Sequence, residues 1–290
     1  MKYTSANDFL DAPHKRLALI GPSGVGKTTV SRLLPSTEWF HFNVDYRIWT
    51  HQLGDQLSDF LKLQAINHPI LGPLLKNDAI TLEPRVHIDN LLATSHYMGM
   101  LGDPARGGTP EGEFISRMQE YIAAERAAML DIPQFINRAH TLYDYDHFLV
   151  DASGSICEIL DSDLSSDPIA TMLASEFAVV YIKPTSEHIN ELTRRAKLDP
   201  KPICYRPDFI AKHLPTLLEH FKLSQIEAAD PREVGTWLYP KLIEERLVRY
   251  QRITDTLGYT ITMDEIASVK TADELLAIIG EAISRSISAK

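Results

Sequence analysis

The chain has 290 residues, with 29 Lys and Arg against 39 Asp and Glu, for a formal charge of −10 at pH 7. At roughly 150 residues per domain this is one elaborated domain or two smaller ones. Its 44% apolar, 23% charged and 8% aromatic residues exclude a disordered, collagenous or coiled-coil chain. A sequence pI near 5.5 argues against a general nucleic-acid binder, which needs concentrated positive charge, but leaves small anionic ligands open. No run approaches about 18 consecutive apolar residues, so no membrane span is expected. The opening residues Met1 to Asp8 show no basic-then-apolar leader, so a cytoplasmic location is expected. Cys157 and Cys204 form no C-x-x-C pair, and the eleven histidines are scattered singly without metal-ligand spacing.

In chain order, residues 16–20 form a short apolar run ending at Gly21, which reads as a buried parallel strand. A helix follows over 27–34, stopped by Pro35. Residues 39–44 are aromatic and β-prone, and this second strand ends in Asp45. Residues 46–146 then show helical periodicity in 53–65, 86–100 and 113–130, broken by Pro69, Pro73, Pro84 and the loop 102–110. That is too long for a simple crossover and reads as a helical insertion placed beside the site. Strands resume at 147–150, ending in Asp151, and at 177–182, with a helix over 186–198 after the latter. A second helical stretch spans 208–256, and 259–263 reads as the last strand. Thr271-Ala272-Asp273-Glu274 is a capping box that opens a C-terminal helix. The expectation is a doubly wound α/β core of about five parallel strands, built from 1–45 and 147–290 around the 46–146 insertion.

Gly21-Pro22-Ser23-Gly24-Val25-Gly26-Lys27-Thr28-Thr29 matches G-x-x-x-x-G-K-[ST] and lies between a predicted strand and a predicted helix, where a phosphate-binding P-loop must lie. Glycines allow successive N–H groups to turn toward phosphate oxygens. The expected nucleotide-binding residues are therefore Gly21, Ser23, Gly24, Val25, Gly26, Lys27, Thr28 and Thr29, and the expected fold is a P-loop NTPase with three α/β/α layers. Lys27 would reach the β- and γ-phosphates, and Thr28 would place its hydroxyl on Mg²⁺. Phe148-Leu149-Val150-Asp151 supplies the apolar run ending in a carboxylate that such a site needs, so Asp151 is expected to orient the magnesium shell. In a parallel sheet all strand C-termini line one crevice, and Asp45 there could take the proton of an attacking hydroxyl.

On these residues the sequence resembles the small-molecule P-loop kinases, the shikimate kinases most. The resemblance implies that Asp45, in Asn43-Val44-Asp45-Tyr46-Arg47-Ile48, contacts the acceptor hydroxyl, with Arg47 beside it. It sets Asp151-Ala152-Ser153-Gly154-Ser155 against the family's Gly-rich turn after the third strand, giving Gly154 a substrate role. Arg117-Met118-Gln119-Glu120, with Phe114 displaced, is set against the Phe-Arg-x-x-Glu helix and gives Arg117 the same role. Residues 192–203 correspond to the lid, and five cations gather in 194–206: Arg194, Arg195, Lys197, Lys201 and Arg206. Such a lid, around 193–206, would neutralise the transferring phosphoryl group and expel water, with Arg194 and Arg195 as catalytic residues beside Lys27 and Asp45. The insertion is longer than the family needs, and the family's Gly-Gly-Gly turn is Ala-Ser-Gly here. What the resemblance implies is thus a reaction class, Mg²⁺-dependent transfer of the ATP γ-phosphate to a hydroxyl of a small molecule. Two alternatives stand beside it. One is an ATPase or nucleotide-gated binding module whose helical insertion meets a protein partner. The other is a GTPase switch, since Asp151-Ala152-Ser153-Gly154 is also D-x-x-G, although the nearest guanine-reading string, Ala196-Lys197-Leu198-Asp199, lacks Asn or Thr.

Overall fold

Five short runs build one sheet in the computed structural model: β1 (Arg16–Ile20), β2 (Trp39–Asn43), β3 (His147–Asp151), β4 (Ala178–Lys183) and β5 (Gly258–Thr262). The structure describes residues 3–87 and 90–288. Met1 and Lys2 of the segment read for a leader, and Ile88 and Asp89 of the predicted 86–100 helix, lie outside the described residues. Every strand pair is parallel, in the order β2-β3-β1-β4-β5. The inner strands β1, β3 and β4 read as unbroken apolar runs because both of their faces are buried, whereas β2 and β5 at the edges alternate with half-buried residues. On one face Leu17, Leu19, Leu149, Val180, Ile182 and Ile261 pack with Phe9, Val30, Ile279 and Ile283 from the helices Ala6–Leu10, Lys27–Ser31 and Ala272–Ser288. On the other face the Tyr181 ring of β4 stacks on Tyr250 of the helix Pro231–Leu257 at 5.3 Å, and the helix Pro168–Glu176 lies against the same strand. The result is an α/β fold on a five-stranded, all-parallel sheet.

This strand order positions the site. The chain leaves β1 toward β2 at one edge and leaves β4 toward β5 at the other, so the crevice of the sheet opens at the C-terminal ends of its central strands. Leu19 is in register with Asp151, and Asp151 with Asn43. The second strand stops at Asn43, and Asp45 lies in the helical turn Val44–Arg47 rather than at the strand's end. The reason is that β3 itself ends at Asp151, so beyond Asn43 the backbone has no neighbour to pair with.

The chain divides into two compact units, one comprising Met1–Val44, Met129–Pro200 and Thr236–Lys290, the other Asp45–Ala128 and Lys201–Gly235. These are not the predicted bounds. Residues 129–146 belong with the sheet, where the helix Ile132–Thr141 packs on β2, and 201–235 joins the helical unit. Within that unit the Tyr205 N–H donates to Met118 Sδ at 3.4 Å, the Asp103 N–H donates to the Ala229 carbonyl at 2.8 Å, and Trp49 packs against the rings of Tyr97 and Tyr121. Amphipathic periodicity shows that a helix has a buried face without showing what covers it. The predicted helices over 53–65 and 113–130 appear as Gly54–Ala65 and Glu111–Leu130, whereas 86–100 contributes a helix only at Leu92–Met98, preceded by an isolated bridge between His87 and Asn90. The C-terminal capping box is present, with the Glu274 N–H donating to Thr271 Oγ1 at 3.2 Å and the Thr271 N–H to Glu274 Oε2 at 3.3 Å.

Candidate functional site

The loop from β1 into the helix Lys27–Ser31 is shaped by glycines, with φ of +146° at Gly21, +89° at Gly24 and +91° at Gly26. Gly26 is the helix N-cap, and its left-handed backbone, crowded for any residue with a Cβ, lets the loop turn straight into the helix. Val25 is fully buried in the core beneath and pins the loop, while Ser23, Gly24, Thr28 and Thr29 face outward. Lys27 is buried, and its Nζ donates to the carbonyls of Gly21 at 2.7 Å and Pro22 at 3.1 Å, holding the ammonium over the loop. The Thr28 hydroxyl donates to Asp151 Oδ2 at 2.9 Å, and Asn43 Nδ2 donates to the same oxygen at 3.3 Å. Burial pushes the Asp151 carboxyl above the usual aspartate range, against the opposing pull of the Lys27 charge and of its bonds to Thr28 and Asn43.

An ammonium, a hydroxyl and a carboxylate thus converge at the C-terminal ends of adjacent strands. The donor set suits Mg²⁺, a hard cation commonly held by one or two protein oxygens and otherwise by phosphate and water oxygens. Thr28 and Asp151 would be those oxygens. Among the described residues there is no cluster of three or more His, Cys, Asp or Glu able to hold a metal.

Gly154, in the turn after β3, packs against Ser23, since a Cβ built there would lie 2.7 Å from the Ser23 backbone nitrogen. Arg194 and Arg195 sit on the helix Ser186–Leu198, each bonded through Nε to Glu191 at 2.7 Å, and they pull its carboxyl down to about 2. Both arginines are exposed, and Leu192 between them and Glu191 brings this helix against the loop, 2.7 Å from where a Gly24 Cβ would be. The five predicted lid cations do not share one unit, because the division falls between Pro200 and Lys201, and Arg206 pairs with Asp208 at 2.9 Å in the second unit. Ala196-Lys197-Leu198-Asp199 runs off the end of that same helix and does not follow a strand.

In the second unit Asp45 Oδ1 accepts from the Tyr121 hydroxyl at 3.3 Å, and Arg47 is half-buried in the same helical turn. Arg117 donates to the Tyr97 carbonyl at 2.6 Å, pairs with Glu113 and lies over the rings of Phe60 and Tyr97 at 5.2 and 5.5 Å. With Phe60, Gln64, His96 and Thr109 it lines a cavity of about 620 Å³. The larger cavity of the first unit, about 680 Å³, includes Arg16 and His147 at the N-terminal ends of β1 and β3, away from the loop. Sequence reasoning missed Asn43, although the strand-end rule that singled out Asp45 applies two residues earlier as well. It also missed Tyr121 and the rings around Arg117, for which nothing in the local sequence gives a signal.

No family model matches the chain, and no curated protein sequence matches it. Among the described residues no helix is long and apolar enough to cross a membrane.

Proposed function

We propose that the protein is a P-loop NTPase of three α/β/α layers that binds ATP with Mg²⁺ and transfers the γ-phosphate to a hydroxyl of a small molecule, in the manner of the small-molecule P-loop kinases. The observation that supports this most is the 2.9 Å bond from Thr28 to Asp151, residues 123 positions apart. It joins the hydroxyl that the loop motif reserves for a metal to the strand-end carboxylate that the motif requires, beside Lys27. In this reading the backbone N–H groups of 21–28 and the Lys27 ammonium hold the β- and γ-phosphates. When bound, Mg²⁺ at Thr28 and Asp151 supplies positive charge against the phosphate oxygens. The acceptor oxygen bonds to the γ-phosphorus as the bond to the departing ADP oxygen breaks, and the hydroxyl proton passes to a carboxylate, the role that the resemblance to the shikimate kinases gives Asp45. Arg194 and Arg195 must then exchange Glu191 for the phosphoryl group. Exposed ion pairs are weak enough for such an exchange.

The test is ATP turnover with Mg²⁺, first alone and then with pools of hydroxylated metabolites and nucleoside monophosphates, following ADP and free phosphate separately. ADP that appears only with a pool and without matching phosphate supports transfer, and Asp45→Asn should then remove transfer while ATP still binds. ADP and phosphate rising together regardless of additions would move the function to ATP hydrolysis. Failure to bind ATP, with Lys27→Ala indistinguishable from the natural chain, would overturn the reading altogether.

A further inference from the structure

The turn that follows β3 is fastened from behind by charges in the protein interior. The Gly154 carbonyl accepts from Arg246 Nη1 at 3.1 Å and from the Tyr250 hydroxyl at 3.0 Å, two donors one turn apart on the helix Pro231–Leu257. Arg246 is itself held by its Nε, which donates to Glu158 Oε1 at 2.8 Å, and the other oxygen of Glu158 accepts from Arg249. The side chains of Arg246 and Glu158 are 3% and 1% exposed, so this is an ion pair taken out of water. Tyr250 is fixed in turn by its ring stacked on Tyr181 of β4. Gly154 is also in contact with Ser23 of the β1 loop, closely enough that only glycine fits.

A buried ion pair is a poor source of stability compared with apolar side chains of the same volume, because desolvation offsets most of the attraction. Its geometry has a different use here. The planar fork of Arg246 reaches Glu158 with one nitrogen and the Gly154 carbonyl with another, fixing the two bonds in one plane, a constraint that the single rotating ammonium of Lys does not impose and an apolar side chain cannot make. Resting on the reading of residues 21–28 as a nucleotide site, we infer that Arg246 and Tyr250 are positioning residues for nucleotide binding. They act through Gly154, pressing residues 152–155 against Ser23 and so fixing the loop in the shape that receives phosphate.

Three variants test this by titration with fluorescent N-methylanthraniloyl-ATP in Mg²⁺, at a temperature well below each melting point. Tyr250→Phe removes one donor to the Gly154 carbonyl and keeps the ring stack. Arg246→Met with Glu158→Met removes the other donor without leaving a lone buried charge. Arg249→Met strips Glu158 of a partner but does not touch Gly154. The first two should each weaken nucleotide binding, by about tenfold for the double replacement, whereas Arg249→Met should lower the melting point and leave affinity as it was. Folded Tyr250→Phe and Arg246→Met/Glu158→Met proteins with the affinity of the natural chain would overturn the inference alone. So would Arg249→Met losing affinity as much as they do, since that would reduce the effect to general destabilisation. A natural chain that binds no nucleotide would instead overturn the reading on which the inference rests.

Discussion

The Arg246–Glu158 pair allows the fold's energetics to be tested without any assay of function. In Arg246→Met, the almost fully buried Glu158 loses its 2.8 Å bond to Nε, with Arg249 still bonded to its other oxygen, while the Gly154 carbonyl retains the Tyr250 donor. Removing one member of such a pair costs about 3–5 kcal/mol, because a charge is left in the interior without its partner. At about 2–4 °C per kcal/mol for a unit of this size, the melting point should fall by roughly 6–20 °C. Glu158→Met should do the same through Arg246, whose buried guanidinium loses the carboxylate bonded to its Nε. Arg246→Met combined with Glu158→Met removes both charges and fills the space with apolar atoms, so its melting point should return close to that of the natural chain. Thermal melts followed by circular dichroism across this double-mutant cycle read the coupling directly. Single variants that cost less than about 1 kcal/mol would mean that the pair is reached by water. A double variant as unstable as the sum of the singles would mean that no coupling links the two side chains.

Other consequences follow from the loop and its carboxylate. Asp151→Asn keeps an acceptor for Thr28 but removes a charge that burial disfavours, so the nucleotide-free protein should melt no lower, while Mg²⁺-dependent nucleotide affinity falls by about 10–100-fold; a lower melting point would contradict the burial argument. Because the folded carboxyl is raised, whatever stability it contributes is present below its unfolded pKa and is lost as the pH rises through the folded one. Acidification should therefore weaken Mg²⁺–nucleotide binding from a higher pH than an ordinary aspartate would, without unfolding the protein through this group, as titrations across pH would show. Gly26→Ala meets nothing nearer than Ile266 Cδ1 at 3.7 Å, so its effect is pure backbone strain of about 1–2 kcal/mol, readable as a melting point lowered by roughly 2–8 °C. Replacing Arg194 and Arg195 by Ala should leave the melting point in place, since both are exposed, but should reduce turnover on the order of 10³-fold with ATP affinity spared. Unchanged turnover would remove them from the chemistry.

How far the sequence could be read depended on whether a feature is local. β1, β3 and β4 were legible because strands buried on both faces must be apolar throughout. The loop 21–29 was legible because the turn it makes restricts residue types at fixed spacing. That the third strand ends at Asp151 followed from the apolar run before it. The extent of the helical unit was not legible, since the helix Pro207–Phe221 carries the same amphipathic signal whichever partner covers it, and the segment joins Met118 and Asp103 only through the fold.

The interior charges are the clearest case of information that pattern does not carry. Glu158 and Arg246 lie 88 residues apart, and by residue type alone each belongs on a solvated helix face, where most Glu and Arg are found. Their burial becomes a requirement only when the sheet brings the turn after β3 under the helix Pro231–Leu257. The sequence around 151–155 shows which residues could meet a ligand, but not what holds them in place. The bonds that hold the turn come from partners remote in the chain, and no residue of the 21–29 motif points to them.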